Sequence, residues 1–103
     1  MANPQPNYFT AISNELYEAI IKFPLTGYQS RVLHAIIRKT YGFKKKMDRI
    51  SLSQISIMTS IQETHICRAI KELKAMKIVT TDGNKKGINK NYDLWLKVTT
   101  DGN

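Results

Sequence analysis

Apolar residues recur at helical spacing as far as Leu73, and from Ile78 onward the pattern is that of strands. Leu16, Ile20 and Phe23 form one stripe, with Tyr17 and Ile21 beside it, and predict a helix from Asn14 to about Phe23. Ser13 stands at its N-cap and Pro24 ends it. Val32, Leu33, Ile36 and Ile37 form a wider stripe over Gly27 to about Thr40, the expected central core helix. Thr26 and Gln29 have the spacing of a capping box, in which each side chain answers the other's backbone amide. Gly42 suits a left-handed residue past the end of this helix. His34 lies among apolar neighbours, where a tucked or half-exposed histidine is expected and a catalytic one is not.

Ser51 and Gln54 repeat the capping-box spacing, with Ile50 and Ile55 at staple positions, and predict a short helix from Leu52 to Met58. A turn at Thr59-Ser60-Ile61 follows, and Gln62 opens the next helix. There Ile66, Ala69, Ile70 and Leu73 share one face at about 100° per residue. Thr64, Lys71, Arg68 and Ala75 fall on the opposite face, with Cys67 between the two. A short helix, a tight turn and a second helix with a small, cationic outer face is the helix-turn-helix arrangement, although any pair of antiparallel helices shares the pattern.

Ile78 to Thr81 reads as a strand, and Asp82 to Gly87 is rich in turn residues. Ile88 to Lys97 is expected to be the second strand, with Ile88, Tyr92, Leu94 and Leu96 on one face and Asp93, Trp95 and Lys97 on the other. A hairpin directly after a helix-turn-helix is the wing of a winged helix. The expected fold is therefore α+β and mostly helical: a winged helix-turn-helix of three to four helices with a C-terminal hairpin. Residues 1–12 are expected to form a flexible arm, 13–97 the domain and 98–103 a frayed tail. The six residues Val79 to Asn84 recur identically as Val98 to Asn103, too short a repeat for a solenoid, and no physical reason for the duplication is evident.

Charge narrows the function. The 103 residues hold 16 Lys and Arg against 8 Asp and Glu, a net charge of +8. Residues 1–37 are neutral, whereas residues 38–97 hold fourteen bases against five acids. A basic half that coincides with the helix-turn-helix points to a polyanion, nucleic acid before an anionic membrane surface. Phe43 to Arg49 carries four cations between two helices, either to straddle a phosphate backbone or as a solvated loop. The hairpin adds Lys85, Lys86 and Lys90 among Asn84, Asn89 and Asn91, which suits phosphate or minor-groove contact. The single Cys67 cannot form an internal disulfide and fits a reducing, cytoplasmic setting. No apolar run is long enough for a membrane span, and no signal peptide opens the chain.

Lys39-Thr40-Tyr41-Gly42-Phe43, Met47-Asp48-Arg49-Ile50-Ser51, Gln54, and Asn89-Lys90-Asn91 with Trp95 resemble the N-terminal origin-binding domain of the bacteriophage replication protein O family. The Asn3-Pro4 opening resembles the wider family as well, and the likeness runs from about Tyr8 to Leu96. The resemblance implies a winged helix that binds repeated duplex sites in a phage replication origin, as a homodimer on inverted half-sites, inside the bacterial host cell. It also implies that a helicase or helicase loader is recruited only through a separate C-terminal region, absent from this sequence. The chain would then be an excised domain or a short relative that binds DNA alone. Lys44 to Lys46 and the outer face of the second helix depart from the family, so the DNA sequence read does not carry over.

The expected contacts follow from donor and acceptor chemistry. Gln62, Thr64, Arg68 and Lys71 would face base edges, Arg68 suiting guanine and Gln62 adenine. Thr64 fits base contact and simple spacing equally, and Cys67 is the better filler. Glu63 is placed to favour the helix N-terminus more than to accept from cytosine. Lys44, Lys45, Lys46, Lys74, Lys85, Lys86 and Lys90 would neutralise phosphates. A phage transcriptional regulator of the same fold, or a module that binds protein through the hairpin or the recognition helix, would share these features. No enzyme, cofactor or metal site is expected: His65 and Cys67 lie about 200° apart around their helix and cannot chelate together.

Overall fold

The computed structural model describes residues 10–96. The expected arm at residues 1–12 and the tail at 98–103 therefore lie wholly or largely outside the described residues. Helix α1 spans Asn14–Lys22, with the Ser13 hydroxyl accepting from the Leu16 amide. Helix α2, Gly27–Thr40, starts at a complete Thr26/Gln29 capping box. Helix α3, Leu52–Thr59, starts at a complete Ser51/Gln54 box. Helix α4, Glu63–Ala75, follows Gln62 at its N-cap. The three side-chain caps sit where the sequence places them because their bonds are local and need no tertiary partner.

Helix α2 is the hub. Val32, Leu33 and Ile36 are fully buried and pack with Ile50, Ile55, Ile66, Leu73 and Ile78 in one apolar cluster. The turn between α3 and α4 is braced from three directions. Ser60 closes α3 in the left-handed region at φ 60°, and the Ser56 hydroxyl donates to the Ile61 carbonyl at 2.7 Å. The Arg31 guanidinium on α2 donates to the Thr59 carbonyl. Two helices so joined, with α2 across both, place α4 with Ile66, Ala69, Ile70 and Leu73 inward.

The β structure departs from expectation in two places. Met47–Arg49, expected as loop, forms a strand, β1. It pairs antiparallel with β3, Lys85–Ile88, which also pairs with β2, Val79–Asp82, so the order is β1-β3-β2. Three polar-biased residues show no alternation, and only the partner makes them a strand. At the hairpin turn Gly83 takes φ +62°, the first central position at which a two-residue type II′ turn calls for glycine. Gly87 is needed for a different reason: a Cβ there would run into the Lys46 carbonyl, just before β1.

The second departure concerns the end of the chain. The hairpin's returning strand stops at Ile88, and the expected strand over Ile88 to Lys97 is absent from its described part. Tyr92–Leu94 is a 3-10 turn, which breaks the period of two. Ile88 is buried and Asp93 exposed as expected, but beyond the turn the faces fail: Trp95 is buried, while Tyr92, Leu94 and Leu96 are exposed. Trp95 Nε1 donates to the Asn89 carbonyl at 2.9 Å, and its ring meets Phe23 edge-on at 5.7 Å. Asn89 is the pivot, since its side chain donates to the Lys77 carbonyl and accepts from the Asn91 amide.

Gly42 is also reassigned. It lies in a 3-10 turn, Tyr41–Phe43, without a positive φ, and the left-handed residue is Lys44 at φ 59°. Glycine at 42 leaves room for the Arg38 side chain, whose guanidinium lies 5.2 Å from the Phe43 ring centre. His34 is exposed, with Nδ1 2.9 Å from the Ser30 carbonyl oxygen.

Candidate nucleic-acid interface

Inward packing of Ile66, Ala69, Ile70 and Leu73 turns the opposite side of α4 to solvent. Thr64, Arg68, Lys71 and Lys74 are all exposed there, as is Gln62 at the N-cap, whose side chain makes no capping bond. Cys67 is partly covered, consistent with its position on the flank. The other flank is occupied by α2: the Tyr28 and His65 rings stack at 5.0 Å, and Gln29 Nε2 donates to Glu72 Oε1 at 3.0 Å. Glu72 thereby marks the limit of the free face, which carries three cations. Glu63 sits in the first turn, where a carboxylate meets the positive end of the helix dipole.

The seven cations expected along phosphates do not form one surface. Lys85 is exposed, immediately beyond the hairpin turn. Lys86, next along β3, is half-buried; its ammonium donates to the Ile50 carbonyl at 2.6 Å, and burial lowers its pKa from the usual 10.5. Its first task is to tie β3 to the entry of α3. Lys44, Lys45, Lys46 and Lys90 lie at the far end of the sheet, because Met47 pairs with Gly87 and Arg49 with Lys85. That end is about 10 Å from Lys85 along the strand, at about 3.4 Å per residue.

These four lysines line one concave volume of about 530 Å³ with Tyr41 and Tyr92. Glu15 on α1 also lines it and accepts from the Tyr92 hydroxyl at 3.3 Å. The Glu15 carboxylate is the main reason the Tyr92 phenol holds its proton above the ordinary range. Tyr41 is raised too, through burial, and its hydroxyl is buried without a hydrogen-bond partner. Sequence reading missed both tyrosines as site residues, since only the fold brings the segment of Tyr41 and Lys44 to Lys46 against that of Lys90 and Tyr92. The Thr40-Tyr41-Gly42 and Asn91-Tyr92 segments beside the lysines were the available signal. Ile57, 82% exposed on α3, is a further surface residue that periodicity did not single out.

Among the described residues no three His, Cys, Asp or Glu side chains are grouped to hold a metal, and no helix is long and apolar enough to cross a membrane.

The model of the family described as bacteriophage replication protein O matches residues 1–95. The chain is 40% identical over 94 residues to "Replication protein O" of Escherichia phage lambda, covering 91% of this chain and 28% of the relative. It is 37% identical over 87 residues to "DNA replication protein gp18" of Salmonella phage P22, covering 84% and 32%. It is 31% identical over 94 residues to "Replication protein 15" of Enterobacteria phage phi80, covering 87% and 31%. The chain thus spans less than a third of the length of these relatives. No solved structure matches it significantly. By the extent of the family match and by these identities, the chain belongs to the bacteriophage replication protein O family.

Proposed function

We propose that this chain is a winged-helix module that binds specific duplex sites in a phage replication origin. The observation that carries the reading is the solvent face of α4, where Thr64, Arg68 and Lys71 stand together on a helix fixed to the core on its other sides. A helix held in this way can be laid in a major groove, with Arg68 donating two bonds to a guanine edge. Gln62 and Lys71 flank it, and Lys74 and Lys85 supply phosphate contacts. The order helix, strand, two helices and hairpin, with sheet order β1-β3-β2, supports the winged-helix reading, in which β2-β3 would be the wing. Membership of a phage replication family supports an origin as the place of binding. Pairing of two copies on inverted half-sites belongs to the same reading. Recruitment of a helicase or its loader would fall to the remainder of the longer relatives.

The test is selection of binding sites from randomised duplexes, followed by titration of Arg68→Ala on the selected site. The substitution is expected to cost about 1–3 kcal/mol and to relax the preference at one base pair. Equal losses on selected and random duplexes would overturn the assignment of Arg68 as a base reader.

A further inference from the structure

We propose that the concavity at the sheet end remote from the hairpin turn is a binding site for single-stranded nucleic acid, distinct from the α4 face. Its charge is the first reason. Lys44, Lys46 and Lys90 make no ion pair among the described residues, and Lys45 alone leans on a carboxylate, Asp48, at 3.6 Å. The one acid lining the site, Glu15, already accepts from Tyr92. Four ammonium groups against two carboxylates, Asp48 and Glu15, each already engaged, favour a phosphate chain.

The second reason is the aromatic surface among those cations. Tyr41 and Tyr92 line the concavity; Phe43 does not, but it adjoins Lys44 in the chain, is 55% exposed and has its ring backed by the Arg38 guanidinium. Tyr92 is 37% exposed and braced edge-on against Trp95 at 6.5 Å. Rings fixed in this manner offer a face to an unstacked base with little entropy left to lose, and alternating lysines and aromatics are what a sequence-tolerant single strand needs. Shape is the third reason. About 530 Å³ is the size of a small-ligand pocket, room for a nucleotide or two and far too narrow for a duplex. The lysine turn is held in place as well: the Lys44 amide donates to Tyr41 and the Lys45 amide to Thr40 at 3.0 and 2.9 Å. The Tyr41 hydroxyl, buried and unpartnered, belongs to a residue of the same wall.

The experiment is fluorescence anisotropy of the whole chain with a labelled twelve-nucleotide oligo-dT and with a duplex carrying the selected site, at low salt. Lys44→Glu/Lys90→Glu is expected to weaken oligo-dT binding about tenfold or more, and Phe43→Ala about fivefold. Both should leave the duplex affinity within about twofold, while Arg68→Ala should weaken the duplex and not the oligo-dT. The milder Lys44→Gln/Lys90→Gln variant should lower the oligo-dT salt slope by about 1.4. Thermal unfolding of every variant separates lost binding from lost structure. Absence of oligo-dT binding, an unchanged affinity in both lysine variants, or an equal loss in Arg68→Ala would overturn the site. So would displacement of oligo-dT by thymidine monophosphate at the oligomer's own affinity, since the ligand would then be a free nucleotide. Oligo-dT binding by the unsubstituted chain without any duplex binding would count against the α4 reading and leave this one intact.

Discussion

Gln29 and Glu72 connect the start of α2 to the last turn of α4. The Gln29 amide group donates to the Glu72 carboxylate, while its oxygen accepts from the Thr26 amide in the capping box. One side chain, 8% exposed, thus both begins the core helix and fixes the rotation of the helix that carries Arg68. Gln29→Ala is expected to lower stability by about 1–3 kcal/mol, through the lost cap and the lost bond to a charged group. Chemical denaturation gives the number. Duplex specificity should fall as well, because α4 loses its lateral tether while Arg68 itself is unchanged.

The chain's end supplies a sharper test, because periodicity and structure disagree there. Alternation puts Leu94 and Leu96 inward and Trp95 outward; the structure has them the other way round. Trp95→Ala is therefore expected to cost about 3–5 kcal/mol, as a buried aromatic does. Leu94→Ala, at a half-exposed position, should cost less than about 1 kcal/mol. A reversed order in urea unfolding would restore the strand.

Much of the fold was legible, and what was not has a common cause. The helices announced themselves through Ser13, Thr26 and Ser51, whose bonds reach three residues along the chain, and through apolar stripes whose buried members match the core. Strand β1 was invisible because Met47-Asp48-Arg49 owes its extended form to β3, nearly forty residues later. The turn at Asn89 did have a local sign, an Asn two residues before another amide to cap, which alternation overrode. At the candidate interface, the outer face of α4 followed from helical angle alone. The division of the lysines between two ends of the sheet did not, since it depends on register.

Register also separates Lys85 from Lys86, neighbours in sequence with different tasks. Lys85→Ala is expected to flatten the salt dependence of duplex binding by about 0.9 in the log–log slope. Lys86→Met keeps the stem and removes the donor to Ile50, so it should lower the unfolding temperature and change the slope little. A salt titration and a melting curve on each variant decide it.

Tyr41 offers the converse case, a polar atom whose removal should do no harm to stability. With its hydroxyl buried and unpaired, Tyr41→Phe is expected to leave stability unchanged or raise it by up to about 1 kcal/mol. Burial also raises the Tyr41 pKa above 10.0. Below pH 10 both states keep the phenolic proton and the group is neutral to stability. As pH rises past that value the unfolded chain releases a proton the folded one retains, so stability falls. Tyr41→Phe should remove that share of the alkaline loss, read from melting temperatures between pH 9 and pH 11.

Strand β3 lies between two strands that are both synthesised before it. A nascent chain leaving the ribosome can complete α1 and α2 from local caps, yet β1 must wait for Gly87 before it has any partner. Trp95, which closes the core against Phe23, comes later still. Assembly of this body should therefore be a single late event, with little protection from proteases until nearly all of residues 10–96 has emerged.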